Sequence, residues 1–219
     1  MRVKAESVQK AIFDRGCRAC PRLAGFLDEV NVRYPDYYCR PVPPFGDASA
    51  RLLIVGLAPG MHGANRTGRP FTGDHAGILL YETLHKYGFG SKAESLSADD
   101  DQALLDCRIT NAVKCLPPDN KPVGAEINNC KRFIANELDT LDPGDVVLAL
   151  GGIAHRAIVK ARGLRQADYK FAHAAEHDLG AFSMLDSYHC SRYNTNTGRL
   201  TPAMFDAVFE RARKMLNQP

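Results

Sequence analysis

RLLIVGLAPGMHGANRTGRPFTGD, residues 51–74, is the stretch that decides the fold. Its first five residues, Arg51 to Val55, make a short apolar run closely bounded by turn signals. Such a run reads as a buried parallel strand rather than a helix. Gly56–Asp74 then holds five glycines, two prolines, two arginines and one carboxylate before helical periodicity resumes near Ala76. A strand, a glycine-rich loop and a helix make a junction where backbone N–H groups approach an anion or nucleotide. No Gly-Lys-Ser/Thr closes the loop, so it is not a phosphate-binding P-loop.

On the N-terminal side, residues 7–15 carry a short amphipathic helix pattern that runs into Cys17-Arg18-Ala19-Cys20-Pro21. Between Tyr34 and Asp47 the prolines are too dense for a central strand. They predict an extended arm, either wrapping the domain or serving as a connector. On the C-terminal side the spacing predicts helix 76–87, with Ile78, Leu79 and Leu84 on its apolar face, and a polar excursion over 90–103. Strand 107–113 then delivers Asn111 and Lys114 to its C-terminal end, and the proline-rich loop 115–122 is irregular. Helix 125–140, strand 146–150 and helix 153–162 follow, then an irregular segment over 163–180 with His173 and His177. Strand 181–186, loop 188–198 and helix 202–216 close the chain, the last helix opening on Thr201 and Pro202.

Strand and helix alternate four times, which predicts an α/β fold: one domain over 1–219, a four-stranded parallel sheet flanked by helices. Residues 1–50 form its N-terminal helix and extended arm. Ligands in such sheets bind beyond the carboxyl ends of the strands. The loops after the first, second and fourth strands are the chemically loaded ones, which predicts one composite site.

A chain of 219 residues with 45% hydrophobic content suits a globular protein burying roughly 70% of its unfolded surface. No apolar run is long enough to span a bilayer, and the charged N-terminus lacks a signal core, so a cytoplasmic protein with no membrane partner is expected. Net charge is only +3, so nucleic-acid binding would have to come from local basic patches. Seven cysteines, an odd number without an export signal, read as reduced thiols rather than a disulfide framework. Cys17 and Cys20 form a chelating C-x₂-C, and Cys115 and Cys130 lie further on. Four thiolates take zinc or an iron–sulfur cluster, and the spacing does not choose between them; buried apolar thiols are the plainer alternative for the last two. Cys39, Cys107 and Cys190 read as core or incidental thiols.

CRACP (17–21), GLAPG…GRPFTGD (56–74), ITNAVKCLPPDNKP (109–122) and HCSRYNTNTGRLT (189–201) occur in one order. With them the chain resembles the family 5 (B-type) uracil-DNA glycosylases from Cys17 to Thr201. The resemblance implies the uracil-DNA glycosylase fold and a structural [4Fe–4S] cluster on Cys17, Cys20, Cys115 and Cys130. It also implies excision of uracil and other deaminated bases, hypoxanthine and xanthine among them. Base flipping and water attack at the anomeric carbon would leave an abasic site. The implied partner is DNA containing deaminated bases, met by a monomer that associates with the nucleoid through DNA binding. Leu57-Ala58-Pro59 stands where many other glycosylase families place a water-activating Asp or Asn, in keeping with the B-type. One departure is His189-Cys190-Ser191, where the family commonly has His-Pro-Ser; losing proline loosens the backbone after His189.

Cleaving an N-glycosidic bond leaves positive charge on the sugar and negative charge on the base, so an anion belongs near one and donors near the other. The resemblance implies that Asp74 orients the water and His189 donates to the leaving base, while Asn120, between prolines, would join the site or merely fix the loop. Asp74 equally suits a helix N-cap. Gly56, Leu57 and Ala58 would shape the base pocket, Phe71 would stack on the base and Asn111 would read its edge. A core aromatic and a turn asparagine are the plainer readings of Phe71 and Asn111. Arg66, Arg69, Lys114, Lys121, Arg192 and Arg199 would contact phosphates unless they are ordinary surface charges. Ser191, Tyr193 and Asn194 would pack into the minor groove. An iron–sulfur or zinc protein that binds nucleotides or nucleic acid without cutting is the alternative from a different class.

Overall fold

The computed structural model describes residues 13–217. In chain order the strands are β1 (Phe45–Gly46), β2 (Leu52–Gly56), β3 (Cys107–Asn111), β4 (Val146–Leu150), β5 (Glu176–Asp178) and β6 (Ser183–Ser187). The longer helices are α1 (Pro21–Arg33), α2 (His75–Lys86), α3 (Gly124–Leu138), α4 (Gly152–Ala161) and α5 (Pro202–Leu216). Short helices occupy Ala64–Thr67 and Arg192–Asn196.

The sheet runs β1-β3-β2-β4-β6-β5. Its four central strands are mutually parallel, as expected, and the two short edge strands pair antiparallel. The count therefore rises from four to six, because one edge lies in the stretch read as an extended arm and the other in the stretch read as irregular. β2 through β4 are buried along their whole length, so successive side chains feed opposite cores. Leu52, Ile54, Leu148 and Leu150 enter the layer that holds Leu84 of α2 and Phe209 of α5. Leu53, Val55, Val147 and Ala149 enter the layer that holds Ile134 of α3 and Ile158 of α4.

From β2 the chain goes to β3 on one side, then crosses back to β4 on the other. The C-terminal ends of β2 and β4 therefore flank the switch point, where an open α/β sheet leaves a crevice.

Helix α1 was not read from the sequence. Its Leu23, Leu27 and Val30 pack with Val113, Leu116 and Phe133 in a third apolar cluster that includes Cys115 and Cys130. Pro21 sits at the first position of this helix, where the missing N–H costs nothing. Of the helix expected over 7–15, residues 7–12 lie outside the described residues and 13–15 are loop and turn. Strand 107–113 ends at Asn111, and loop 188–198 contains the Arg192–Asn196 helix. Helix α5 matches its expected bounds, and the Thr201 side chain accepts from Met204 N at 3.2 Å.

Among the described residues, no helix is long and apolar enough to cross a membrane.

Candidate active site

The loop after β2 folds back so that its two ends meet. In the sheet register Gly56 lies beside Asn111, and both are buried. A Cβ on Gly56 would stand 2.5 Å from Asn111 Oδ1 and 2.6 Å from Phe71 Cζ. Glycine is therefore required by close approach: it lets the phenyl ring and the amide converge on the strand end. Phe71 adopts φ 56°, an uncommon conformation for a bulky residue, and is buried. Its ring stacks on His189 at 5.8 Å between centroids, 27° from parallel.

Asp74 caps α2, with Oδ1 accepting from Gly77 N at 2.9 Å. Its carboxyl lies over Gly63, where a Cβ would stand 2.5 Å from Oδ2. Burial raises the Asp74 pKa, partly opposed by hydrogen bonds from the Gly77 and Ala76 N–H groups. One carboxylate oxygen is thus fixed by the helix while the residue lines the crevice.

His189 follows β6. Burial pushes its pKa down to about 4, and its Nδ1 is buried with no hydrogen-bond partner. An unmatched buried ring nitrogen costs about 1–3 kcal/mol, which a bound polar group would recover. Asn194 Nδ2 donates to the His189 carbonyl at 2.8 Å, and Ser191 Oγ accepts from Asn194 N at 3.4 Å. These bonds restrain the backbone where proline is missing. Cys190 is fully buried.

Asp74, Phe71, Asn111, Asn120 and His189 all border one cavity of about 510 Å³, together with Leu57 and Ala58. Ser191, Arg192, Asn194 and Arg199 stand along it as well. A wider cleft of about 910 Å³ adjoins it, sharing Gly60, Asp74, His75, Asn120 and Arg192, and Arg66 lines that cleft. Arg66, Lys121, Arg192 and Arg199 are exposed, as is Tyr193 at 72%.

Two expected phosphate contacts are corrected. Arg69 is buried: its guanidinium stacks over Phe45 at 4.4 Å and bonds Asp100, Ser95 Oγ and the Ala98 carbonyl. Lys114 is buried against Glu137 at 3.1 Å, beside Thr110, while Arg108 Nε reaches the other Glu137 oxygen at 2.9 Å. Burial alone would raise the Glu137 pKa, but Lys114 and Arg108 hold it below the usual value. Both cations serve the fold.

The sequence reading missed Phe171 and Tyr188, which also line the cavity. Tyr169, Phe171, His173, Ala175 and His177 alternate inward-facing with exposed neighbours. That period of two, carried by aromatic and histidine residues, was the available signal.

Cys17, Cys20, Cys115 and Cys130 border one small cavity, far in sequence but adjacent in space. Asn129 Nδ2 reaches Cys20 Sγ and Arg132 reaches Cys17 Sγ, each at 3.4 Å. Burial, then the neighbouring cysteines, pushes the Cys115 thiol up to about 12. Among the described residues, a separate group of potential metal-binding side chains, His155, His177 and Asp186, has ligand atoms within 4.8 Å of one another.

Residues 43–213 match the family model of the uracil DNA glycosylase superfamily. The chain is 48% identical to a type-5 uracil-DNA glycosylase of Thermus thermophilus over 91% of its own length and 93% of that protein. It is 42% identical to a type-5 uracil-DNA glycosylase of Pyrobaculum aerophilum, over 90% of its own length and 87% of that protein. With a type-4 uracil-DNA glycosylase of Thermotoga maritima identity falls to 33%, over 70% of this chain and 63% of that protein. The sheet-end crevice and these likenesses agree: this chain belongs to the uracil DNA glycosylase superfamily, in its type-5 branch.

Proposed function

We propose that the chain is a monofunctional uracil-DNA glycosylase of base-excision repair, hydrolysing the N-glycosidic bond of uracil flipped out of DNA and leaving an abasic site. One observation carries this reading. A helix-capping carboxylate, a stacking ring, a strand-end amide and an unpartnered neutral imidazole border the same cavity.

In this mechanism Phe71 stacks on the extruded base and Asn111 reads its edge. Asp74 orients water at the anomeric carbon, and its charge stabilises the oxocarbenium-like sugar. Water adds its oxygen to that carbon as the C–N bond breaks, and the bonding pair leaves with the base. His189, neutral because burial depresses its pKa, donates a hydrogen bond toward the anionic base oxygen. Asn120 stands at the mouth shared by cavity and cleft. Arg66, Lys121 and Arg192 offer exposed charge for backbone phosphates. Ser191, Tyr193 and Asn194 face the minor groove, with exposed Tyr193 behind the flipped nucleotide. Hypoxanthine and xanthine, the other deaminated bases, would be further substrates of the same site.

Cys17, Cys20, Cys115 and Cys130 would hold a [4Fe–4S] cluster. Four thiols drawn from separate segments border one cavity, which supports a shared metal group. When bound it supplies a structural staple, joining the segment ahead of α1 to α3 and the loop after β3. The protein would act as a monomer on DNA containing deaminated bases, in the cytoplasm and along the nucleoid.

The test is incubation with uracil-containing duplex, followed by alkali. Strand scission at the uracil position is expected, and its absence with the cluster-loaded protein would refute the reading.

A further inference from the structure

The cavity is also bordered by a segment that no catalytic role has claimed. Phe171 borders the cavity, and its ring meets Tyr188 at 6.1 Å and His155 edge-on at 5.7 Å. We propose that His155, Asp186 and His177 form a latch that clamps the 169–177 segment to the sheet. Phe171, carried by that segment, is then the wall that restricts which base the cavity accepts. This rests on the glycosylase reading above.

The latch follows from donor and acceptor chemistry. Asp186 is fully buried on β6, and the His155 side chain is 1% exposed on α4. His155 Nδ1 meets Asp186 Oδ1 at 2.9 Å, and its Nε2 meets the Tyr169 carbonyl at 2.9 Å. Both partners are acceptors, so both ring nitrogens must donate and His155 is an imidazolium. Its charge neutralises the buried carboxylate, whose second oxygen takes His177 Nε2 at 3.1 Å. Burial works against that charge, but the Asp186 hydrogen bond and negative charge, aided by the Tyr169 carbonyl, leave the His155 pKa raised. The backbone completes the clamp: Ala174 N donates to the Asp186 carbonyl and Asp186 N to the Ala175 carbonyl, each at 2.9 Å.

Tyr169 and His177 are therefore pinned on either side of Phe171. Phe171 also lies at van der Waals distance from Gly152, at the start of α4. His155 itself does not border the cavity. Any effect of His155 on base choice must pass through the segment, which makes it a positioning residue.

The test compares cluster-loaded wild type with Phe171→Ala and His155→Gln. Glutamine has one donor nitrogen and cannot serve both Asp186 and Tyr169. Excision of hypoxanthine and uracil is measured under single turnover, alongside amide exchange across 169–177. Opening the wall is expected to raise the hypoxanthine-to-uracil rate ratio about tenfold in Phe171→Ala. His155→Gln is expected to raise it too, with faster exchange at Ala174. Phe171→Ala removes no buried polar group, so it carries the test of the wall if His155→Gln does not fold. An unchanged or lowered ratio in folded Phe171→Ala, with wild type active on uracil, overturns this inference alone. A wild type inactive on both bases overturns the glycosylase reading and the inference with it. Stoichiometric metal retained by the wild type and lost in His155→Gln overturns the proton-bonded latch.

Discussion

The depressed pKa of His189 gives the sharpest expectation. An imidazole with the ordinary pKa of 6.5 is about 9% neutral at pH 5.5, whereas one held near 4 is about 97% neutral. If neutral His189 is the donor to the departing base, its own protonation lowers single-turnover excision by less than about twofold between pH 7.5 and pH 5.5. An ordinary histidine in that role would cost about tenfold. Asp74 must be ionised, and burial raises its pKa, so the rate falls on the acid side when either group takes a proton. Neither group produces an alkaline limb. The assay is alkali-developed excision of uracil from duplex DNA with enzyme in excess, from pH 4 to 9. An acid limb centred at 6–7 that vanishes in His189→Gln would refute the reasoning. Stability carries a matching signature. Because the folded state holds His189 below its ordinary pKa, its contribution is complete above pH 6.5 and drains as pH falls toward 4. It amounts to at most about 3 kcal/mol. Asp74 works oppositely: its raised pKa disfavours the folded state at neutral pH, and that penalty fades as pH falls. Thermal melts of wild type and His189→Gln across this range separate the two.

Gly56→Ala is expected to push Phe71 and Asn111 apart, costing about 1–3 kcal/mol in stability and about a hundredfold in excision, read by melts and single-turnover rates. Asp74→Asn keeps a competent helix cap but loses the charge, so its melting temperature stays near wild type while activity collapses. Asp74→Ala loses the cap as well, about 1 kcal/mol more in denaturant titration. Glu137→Gln leaves Lys114 and Arg108 without their buried counter-charge and is expected to cost about 3–5 kcal/mol in urea unfolding, with the remaining folded protein still active. Cys115→Ser is expected to abolish visible iron–sulfur absorbance and lower the melting temperature; full absorbance in that variant would remove Cys115 from the cluster.

The central sheet was legible because fully buried parallel strands leave continuous apolar runs, and Leu52–Val55 and Val146–Leu150 are such runs. Asp74 was legible as a cap because a carboxylate immediately before a helical pattern has a simple physical use. Helix α1 was hidden by its own start signal, since Pro21 after a C-x₂-C looks like loop. β1 and β5, at two and three residues, are too short to show a period. Arg69 and Lys114 show another limit. Loop cations look alike in sequence, but Asp100 and Glu137 turn these two inward across separations of 31 and 23 residues. His155 and His177 carry no pattern of their own in the sequence, because their shared partner, Asp186, comes together with them only when α4, β5 and β6 assemble.

The bond from Asn194 to the His189 carbonyl makes the short Arg192–Asn196 helix a lever. Its outer arm is exposed Tyr193 with Arg192 beside it, and its inner arm ends on the peptide that sets the imidazole. On the glycosylase reading proposed above, a load applied to the outer arm by a bent duplex would pass through this bond to the imidazole. Recognition of a deformed backbone and alignment of the leaving-group donor would then be one mechanical event, and lengthening the loop between His189 and Asn194 by even one residue would uncouple them.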